Sequence, residues 1–266
     1  MAPETDSEAP DVKITLIPSS TAAGPQAPQY LSSALVNDVI ALDAGCVGFY
    51  RGAQEQARVK HVLLSHTHLD HLASLPIFVE NAFEGKSECV TVHGSADVLD
   101  CCRRFLFNDR LWPDFVALSS GERPFLRLRE FDAGQTIDVE GLRITAVALN
   151  HVVPTVGYIV SDGGGSVGFV SDTGPTDEVW RRLNAAGDLK ALFLEATFPN
   201  HLAWLADVSR HLTPALFGAE LKKLNRPVRT VVVHMKARYQ AQVMAEVRAL
   251  NLPHVEFAQF DAPYTI

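Results

Sequence analysis

The chain has 266 residues, of which 47% are hydrophobic and 20% charged, a composition typical of a globular protein that buries a large core. Its formal net charge of −8 argues against a surface built to hold a nucleic-acid polymer, although small anions can bind where metals supply positive charge. No apolar run reaches the roughly 18 residues of a membrane span, and the four cysteines show no Cys-x-x-Cys spacing. Because the N-terminus is acidic where a secretory signal would be basic, we expect a cytoplasmic protein with reduced thiols.

The first eleven residues differ in composition from the rest of the chain. Residues 1–11 contain two prolines and four acidic side chains, which predicts a disordered tail. No later segment has a linker-like composition or an internal repeat. We therefore expect a single domain over residues 12–266.

Short strands and helices alternate in the first half of the predicted structure. Two turn-forming residues, Asn37 and Asp38, separate two apolar runs and predict a hairpin. Pro76 fits the first turn of a helix. The segment from Asn108 to Pro124 is expected to be irregular and to overhang a site. The predicted elements are strands at Lys13–Ile17, Leu31–Val36, Val39–Leu42, Val62–Leu64 and Cys89–His93, and helices at Ala53–Val59, Pro76–Phe83 and Ala96–Phe107.

The stretch from Ser65 to His71 carries four potential metal ligands within six positions. His66 and His68 are two residues apart, so in an extended segment both side chains point the same way and can bind one cation. Asp70 and His71 are adjacent and must diverge, which suits a second cation close to the first. Imidazole with carboxylate is a ligand set of zinc, iron or manganese hydrolases. We therefore predict a metal site here rather than a polar loop with ordinary histidines.

In the second half of the chain, apolar runs repeatedly end in a histidine or an acid. The pairs are Leu142–Leu149 with His151, Val167–Val170 with Asp172, Leu189–Leu194 with Glu195, and Val228–Val233 with His234. Ligand sites in layered α/β proteins collect at the carboxyl ends of strands, so these residues are expected to converge on the Ser65–His71 stretch. The other predicted elements are strands at Val156–Val160 and Val255–Phe260, helices at Asp177–Ala186 and Pro214–Leu224 capped by Thr176 and Thr213, and a helix at Tyr239–Leu250.

The order of these residues resembles the metallo-β-lactamase superfamily, and the resemblance covers nearly the whole chain after the tail. It rests on seven positions: His66, His68, Asp70, His71, His151, Asp172 and His234. The resemblance implies an α/β fold, the four-layer αβ/βα sandwich, and two divalent metal ions, with zinc expected first and manganese or iron as alternatives. It also implies that His66, His68 and His151 bind one metal, that Asp70, His71 and His234 bind the other, and that Asp172 bridges both.

Several short sequence motifs narrow the resemblance to the class II cyclic-nucleotide phosphodiesterases. These motifs are His68-Leu69-Asp70-His71, Ser171-Asp172-Thr173-Gly174-Pro175, Leu194-Glu195-Ala196-Thr197-Phe198-Pro199-Asn200, His211-Leu212-Thr213-Pro214 and His234-Met235-Lys236. Ribonuclease Z is similar too, but it usually has glycine where this chain has Leu69, and it carries a basic arm that is absent from this sequence. Ser74 departs from the phosphodiesterase pattern, which usually has glycine there.

The resemblance implies a dinuclear-metal phosphodiesterase that hydrolyses a 3′,5′-cyclic nucleotide to the 5′-nucleotide by attack of a hydroxide held between the metals. Asp70, Asp172, Glu195 and His211 are the expected catalytic residues, with His211 as general acid and Glu195 orienting it. A buried Glu195 bonded to the backbone at a helix start is the alternative for that pair. The expected partner is a small-molecule phosphodiester, with no nucleic-acid polymer and no membrane, and a homodimer is compatible with the sequence.

A ribonuclease Z-like endonuclease that processes RNA 3′ ends, or another hydrolase of this fold, is the alternative function. Lys236 is equally compatible with a phosphate contact and with a solvated charge. Trp112, Phe115 and Phe198 could stack on a nucleobase, but aromatic residues more often belong to the core.

Overall fold

Two seven-stranded mixed sheets form the framework of the protein, seen in a computed structural model that describes residues 12–22, 27–119 and 121–266. In chain order the strands are β1 (Lys13–Leu16), β2 (Ala34–Val36), β3 (Ile40–Leu42), β4 (His61–Leu63), β5 (Val90–Gly94), β6 (Leu126–Glu130), β7 (Thr136–Val139), β8 (Leu142–Ala148), β9 (Val156–Ser161), β10 (Ser166–Val170), β11 (Leu189–Glu195), β12 (Arg229–Val233), β13 (Val255–Phe257) and β14 (Pro263–Thr265). The strand order is β14-β1-β2-β3-β4-β5-β6 in the first sheet and β13-β12-β11-β10-β9-β8-β7 in the second.

Short helices connect the strands. They are α1 (Ala53–Gln56), α2 (Leu69–Leu72), α3 (Leu75–Ala82), α4 (Ala96–Cys101), α5 (Phe115–Leu118), α6 (Glu178–Ala185), α7 (Ala203–Ser209), α8 (Pro214–Leu221) and α9 (Gln240–Arg248). Single 3₁₀ turns lie at Val47–Phe49, Asn200–Leu202 and Ala237–Tyr239. In the part of the chain that the structure describes, no helix has the length and apolar character needed to cross a bilayer.

Alternation of side chains along the strands divides the apolar residues among three cores. In β11, Ala191 and Phe193 face the other sheet, whereas Leu192 and Leu194 face the helices on the outside. In β3, Ala41 likewise packs against the helices of the first sheet. The layers are therefore helices, sheet, sheet and helices, which confirms the predicted four-layer αβ/βα sandwich.

The predicted hairpin is confirmed, and the backbone angles of Asn37 and Asp38 explain how the chain reverses within two residues. Asn37 and Asp38 both adopt left-handed backbone angles, with φ of 51° and 57°, as a two-residue hairpin turn requires. The strands on either side pair antiparallel from Ala34–Leu42 to Val36–Ile40. The first strand of the hairpin begins at Ala34 rather than at Leu31.

Some local predictions were wrong. The helix predicted to reach Phe107 is α-helical only to Cys101 and continues as a π-helix over Cys102–Leu106. The residue before α6 is Asp177 rather than Thr176, and it makes no side-chain cap. Thr213 does cap α8, because its Oγ1 accepts a hydrogen bond from Leu216 N at 3.3 Å.

The strands that the sequence did not predict are β6, β7 and β14, and all three lie at sheet edges. An edge strand buries fewer side chains, so its apolar signal is weak. The segment 108–124, expected to be irregular, contains α5, and Trp112 and Phe115 pack into the core of the first sheet. The tail predicted for residues 1–11 lies outside the described residues, and the single domain stays a prediction.

A contact at Gly45 ties the first sheet to the Ser65–His71 stretch. Ala44 N donates to His71 O at 2.8 Å, Ser32 N donates to Asp70 O at 2.8 Å, and Gly45 N donates to Ser32 O at 3.1 Å. A Cβ on Gly45 would lie 2.7 Å from the carbonyl oxygen of Ser32 and closer still to that of Asp70. Only glycine permits this approach of three backbone segments.

We expect Gly45→Ala to lower the free energy of unfolding by about 1–3 kcal/mol, because the added methyl group must displace backbone rather than a side-chain end. Urea unfolding measures the change. Gly187→Ala is the matched control, since nothing lies within 4 Å of a Cβ there, and it should be neutral or slightly stabilising. Equal stability of the two variants would contradict the argument.

Candidate metal centre

The seven residues predicted as ligands lie at or just after the ends of strands in both sheets. His66 and His68 follow β4, Asp70 and His71 belong to α2, His151 follows β8, Asp172 follows β10, and His234 follows β12. Since the sheets face each other, these strand ends meet at one edge of the sandwich. The predicted convergence is therefore present in the structure.

The side chains fall into overlapping groups whose candidate ligand atoms lie within 4.8 Å of one another. The groups are His66, His68, His151 and Asp172; Asp70, His71 and His234; and Asp172, His211 and His234. The first two correspond to the two sets that the sequence suggested. The third shows that His211 also lies within reach of the cluster.

Asp172 stands between the two main groups, and each of its carboxylate oxygens faces one of them. Oδ2 lies 3.6 Å from Nε2 of His66 and 4.0 Å from Nε2 of His151. Oδ1 lies 3.4 Å from Nε2 of both His71 and His234. The carboxylate is therefore placed to contact two cations at once.

The hydrogen bonds around His66 test whether these residues fit a metal. The Ser65 hydroxyl donates to Asp43 at 2.9 Å, so it accepts the proton on Nδ1 of His66, also at 2.9 Å. Nε2 of His66 then carries a lone pair, and neither it nor Oδ1 of Asp172 has a hydrogen-bond partner among the described residues. Burial, together with the charge of His71, lowers the pKa of His66 to about 2. A buried imidazole nitrogen and a buried carboxylate oxygen that form no hydrogen bond are suitable ligand atoms for divalent transition metals.

In four histidines of the cluster, Nδ1 lies on the side away from the centre and forms a hydrogen bond there. The pairs are His66 Nδ1 with Ser65 Oγ at 2.9 Å, His71 Nδ1 with Asp43 Oδ2 at 2.6 Å, His151 Nδ1 with Arg210 O at 3.0 Å, and His234 Nδ1 with Thr197 Oγ1 at 3.2 Å. Such partners fix the tautomer and leave Nε2 free toward the centre. None of these four partners was expected from the sequence pattern to have a functional role.

Asp43 is the most informative of these four partners. It follows β3 and adopts a left-handed backbone angle, with φ of 59°. Besides His71, it accepts hydrogen bonds from the backbone N and the hydroxyl of Ser65, at 2.7 and 2.9 Å. Burial by itself would lower the pKa of His71, but the carboxylates of Asp172 and Asp43 raise it well above its usual range. The rule that acids at strand ends mark the site would have found Asp43.

Glu195 and His211 form a pair, as predicted. Oε1 of Glu195 lies 2.8 Å from Nδ1 of His211 and also accepts a hydrogen bond from Thr173 N at 2.8 Å. Its Oε2 accepts from Leu212 N at 3.0 Å and from the hydroxyl of Thr197. Glu195 therefore bonds to backbone groups, which was the alternative expected for it, and to His211 as well.

His211 presents its other nitrogen to the cluster, because Nε2 lies 4.0 Å from Oδ2 of Asp172. Burial lowers the pKa of His211, but the charge and hydrogen bond of Glu195 outweigh that effect and raise it above its usual value. A protonated Nε2 directed at the cluster is the geometry of a proton donor.

The remaining candidates lie around this centre. Nζ of Lys236 lies 3.3 Å from Oδ2 of Asp70. Phe198 is 8% exposed, and its ring packs edge-on against His211 at 5.7 Å, so it is not open for stacking. His93 pairs with His61 at 3.1 Å.

Comparison with known proteins places this architecture in a family. Residues 47–235 match the family described as "Beta-lactamase superfamily domain". The chain is 29% identical over 222 residues to the "Probable 3′,5′-cyclic-nucleotide phosphodiesterase" of Yersinia pestis, across 74% of this chain and 62% of that protein. The chain thus spans less than two thirds of the length of this relative.

Two further matches bear on the fold and on the alternatives. Ribonuclease Z of Bradyrhizobium diazoefficiens is 25% identical over 254 residues, which covers 76% of this chain and 80% of that protein. The crystal structure of unliganded yeast PDE1 superposes with a TM-score of 0.77 at 15% identity, over 97% of this chain and 100% of that one. The chain therefore belongs to the β-lactamase superfamily, has the metallo-β-lactamase fold, and resembles the cyclic-nucleotide phosphodiesterases within that superfamily.

Proposed function

We propose that this protein is a dinuclear-metal phosphodiesterase that opens the cyclic phosphate of a 3′,5′-cyclic nucleotide to give the 5′-nucleotide. The observation that carries the proposal is the position of Asp172, whose two oxygens face two separate groups of histidines. A carboxylate in that position supports a pair of cations. The broader class, a metal-dependent phosphoric diester hydrolase, follows from the family and from its phosphodiesterase and ribonuclease relatives.

The chain's own residues would hold the metals in two sets. His66, His68 and His151 would hold one cation and Asp70, His71 and His234 the other, with Asp172 shared between them. When bound, two divalent cations polarise phosphoryl oxygens and lower the pKa of a water between them. Zinc is expected first, with manganese or iron as alternatives.

His211 would supply the proton that the leaving 3′ oxygen needs. Its Nδ1 is held by Glu195, so the ring is oriented with Nε2 toward the cluster. Glu195 also raises the pKa of the ring, which favours the protonated form. Glu195 acts through His211 and does not itself reach the substrate.

A ribonuclease Z-like endonuclease is the alternative, and the similarity to ribonuclease Z keeps it under test. Two features favour the small substrate: the net charge of −8, and the absence of a Lys/Arg/Gly-rich arm from the sequence. Leu69 is a further difference, since ribonuclease Z usually has glycine at this position and the Leu69 side chain is 67% exposed. The cytoplasmic location and the homodimer stay predictions.

We expect two divalent metals per chain, and Asp172→Ala should lose most of the activity because it removes the shared ligand. Asp43→Asn should weaken binding of one metal by about 10- to 100-fold, because it removes the charge that orients His71. Elemental analysis and metal titration measure both effects. Asp38→Asn is the matched control, a turn aspartate with a similar left-handed φ of 57° that pairs with Lys13 at 2.6 Å. A single metal in the wild-type protein after metal supply would contradict the proposal.

We expect turnover of a 3′,5′-cyclic nucleotide and little cleavage of precursor tRNA by the metal-loaded protein. The physical reason is that a surface with net negative charge lacks the cations that hold an RNA backbone. Parallel assays with cyclic AMP, cyclic GMP, precursor tRNA, a lactone and a β-lactam measure the preference. Efficient tRNA cleavage without turnover of cyclic nucleotides would establish the alternative.

We expect His211→Ala to keep its metal content and to lower the rate by about 10² to 10⁴ on a cyclic nucleotide, whose alkoxide leaves poorly. With bis-p-nitrophenyl phosphate the loss should be much smaller, because the phenolate departs without a proton. Glu195→Gln should show a milder form of the same selective defect. Equal losses on both substrates, or loss of a metal, would show that His211 is a ligand or a structural residue.

A further inference from the structure

Lys236 lies beside the metal cluster and has no role in the chemistry described so far. It follows β12 and stands two residues after His234. Its backbone is fixed, because Lys236 N donates to Thr197 O at 3.2 Å and Tyr239 N donates to Lys236 O at 2.8 Å. The side chain therefore projects from a fixed point next to the cluster.

The ammonium group of Lys236 is directed at the cluster. Nζ lies 3.3 Å from Oδ2 of Asp70, and the same oxygen lies 3.3 Å from Nε2 of His234. Of the lysine and arginine side chains that the structure describes, only that of Lys236 forms an ion pair with a carboxylate of the cluster. The guanidinium of Arg210 donates instead to the side-chain oxygen of Asn150 at 2.9 Å. Lys236 is therefore the cation that adjoins the second group of ligands.

The Lys236 ammonium group is accessible to a ligand. Its side chain is 41% exposed and is part of the wall of a cavity that Asp70, Asp172 and His234 also line. Among the described residues, Nζ donates to one acceptor, Asp70 Oδ2. Because an ammonium group has three N–H donors, two of them are available to a ligand oxygen.

The charges around Lys236 favour an anionic ligand. The seven proposed ligands include two carboxylates, Asp70 and Asp172, so two divalent cations would leave an excess of positive charge at the centre. Lys236 adds a further positive charge at its edge. An anion that contacts both the centre and Lys236 would relieve the repulsion among these like charges. Lysine is a common point-charge partner of phosphate groups.

We propose that the ammonium group of Lys236 binds a non-bridging oxygen of the substrate's phosphoryl group and stabilises the charge that develops there when hydroxide adds to phosphorus. The proposal rests on the proposed function in taking the substrate to be a phosphodiester. It gives Lys236 and His211 different tasks. His211 donates a proton to the oxygen that leaves, whereas Lys236 keeps its protons and contacts an oxygen that stays on phosphorus. Lys236 is then a catalytic residue.

Binding of inorganic phosphate to the metal-loaded protein tests the contact. Lys236→Met keeps the apolar stem and removes the charge, so calorimetry should show phosphate binding weakened by about tenfold, as for a lost hydrogen bond to a charged group. Metal titration should show unchanged or slightly tighter metal binding, because a positive charge beside Asp70 is gone. Lys236→Arg should recover part of the phosphate affinity, because it restores the charge.

Lys86→Met is the matched control. Lys86 lies between α3 and β5 and pairs with Glu84 at 3.1 Å, so the variant removes the same charge and an ion pair away from the cluster. Its affinities for phosphate and for metal should equal those of the wild type.

Kinetics with two leaving groups separates Lys236 from His211. Lys236→Met should lower kcat/KM by about 10- to 100-fold on a cyclic nucleotide and on bis-p-nitrophenyl phosphate alike, because charge develops on the non-bridging oxygens whichever group leaves. His211→Ala should be selective for the cyclic nucleotide. A defect of Lys236→Met confined to the cyclic nucleotide would overturn the proposal, because it would assign Lys236 to the leaving oxygen.

Unchanged phosphate affinity in Lys236→Met would also overturn the proposal, as would loss of a metal, which would show that Lys236 only positions Asp70. Turnover of cyclic nucleotides by the wild type keeps the two proposals apart. Turnover together with an unaffected Lys236→Met variant would leave the phosphodiesterase and exclude the Lys236 contact. Weaker phosphate binding in the variant without turnover of cyclic nucleotides by the wild type would leave the contact and exclude the cyclic-nucleotide phosphodiesterase.

Discussion

The buried negative charge of Asp172 is the constraint on which the rest of the site depends. The residue is 2% exposed, and an uncompensated carboxylate at such a position costs several kcal/mol. Imidazole nitrogens surround it, but the free nitrogen of His66 turns a lone pair toward the carboxylate rather than a proton. Two electron-rich groups facing each other are favourable only when something positive lies between them. A cation between His66 and Asp172 would remove the repulsion of these two groups, which supports the proposed metal centre.

Rigid backbone makes that arrangement possible. Asp43 and His234 adopt left-handed backbone angles, with φ of 59° and 52°, and each such position costs about 1–3 kcal/mol in a residue with a side chain. The backbone N of Asp43 donates to Leu63 O at 2.9 Å, which fixes the residue against the next strand of its sheet. His234 is fixed where the second sheet ends, since Ala196 N donates to the carbonyl oxygen of the preceding Val233 at 3.2 Å. Two of the strained positions are thus places where a sheet brings a side chain to the cluster.

Much of the fold and of the candidate site could be predicted from the sequence, because both depend on local pattern. The buried strand β11 is apolar from Ala191 to Leu194, and His66 and His68 mark the site by their spacing alone. Three of the four edge strands, β6, β7 and β14, could not be predicted, because their side chains are half solvated. Among the groups that hold the histidines, Asp43 could have been found as an acid after a strand, but the backbone carbonyl of Arg210 that bonds to His151 could not. A carbonyl has no sequence signature, so that part of the site is visible only once the chain is folded.

Under the proposed function, the cluster by itself would not choose among phosphodiesters, so discrimination would come from its surroundings. A polymer is held by many exposed cations, whereas this chain carries a net charge of −8, which opposes that mode of binding. A small ligand can instead gain affinity by burying an uncharged ring. A cavity of about 120 Å³ between the two sheets adjoins Asp172, and apolar side chains such as Leu42 and Phe193 are part of its wall, so it offers burial beside the cluster. Selectivity for a compact ligand would then depend on the space that the two facing sheets leave beside the cluster.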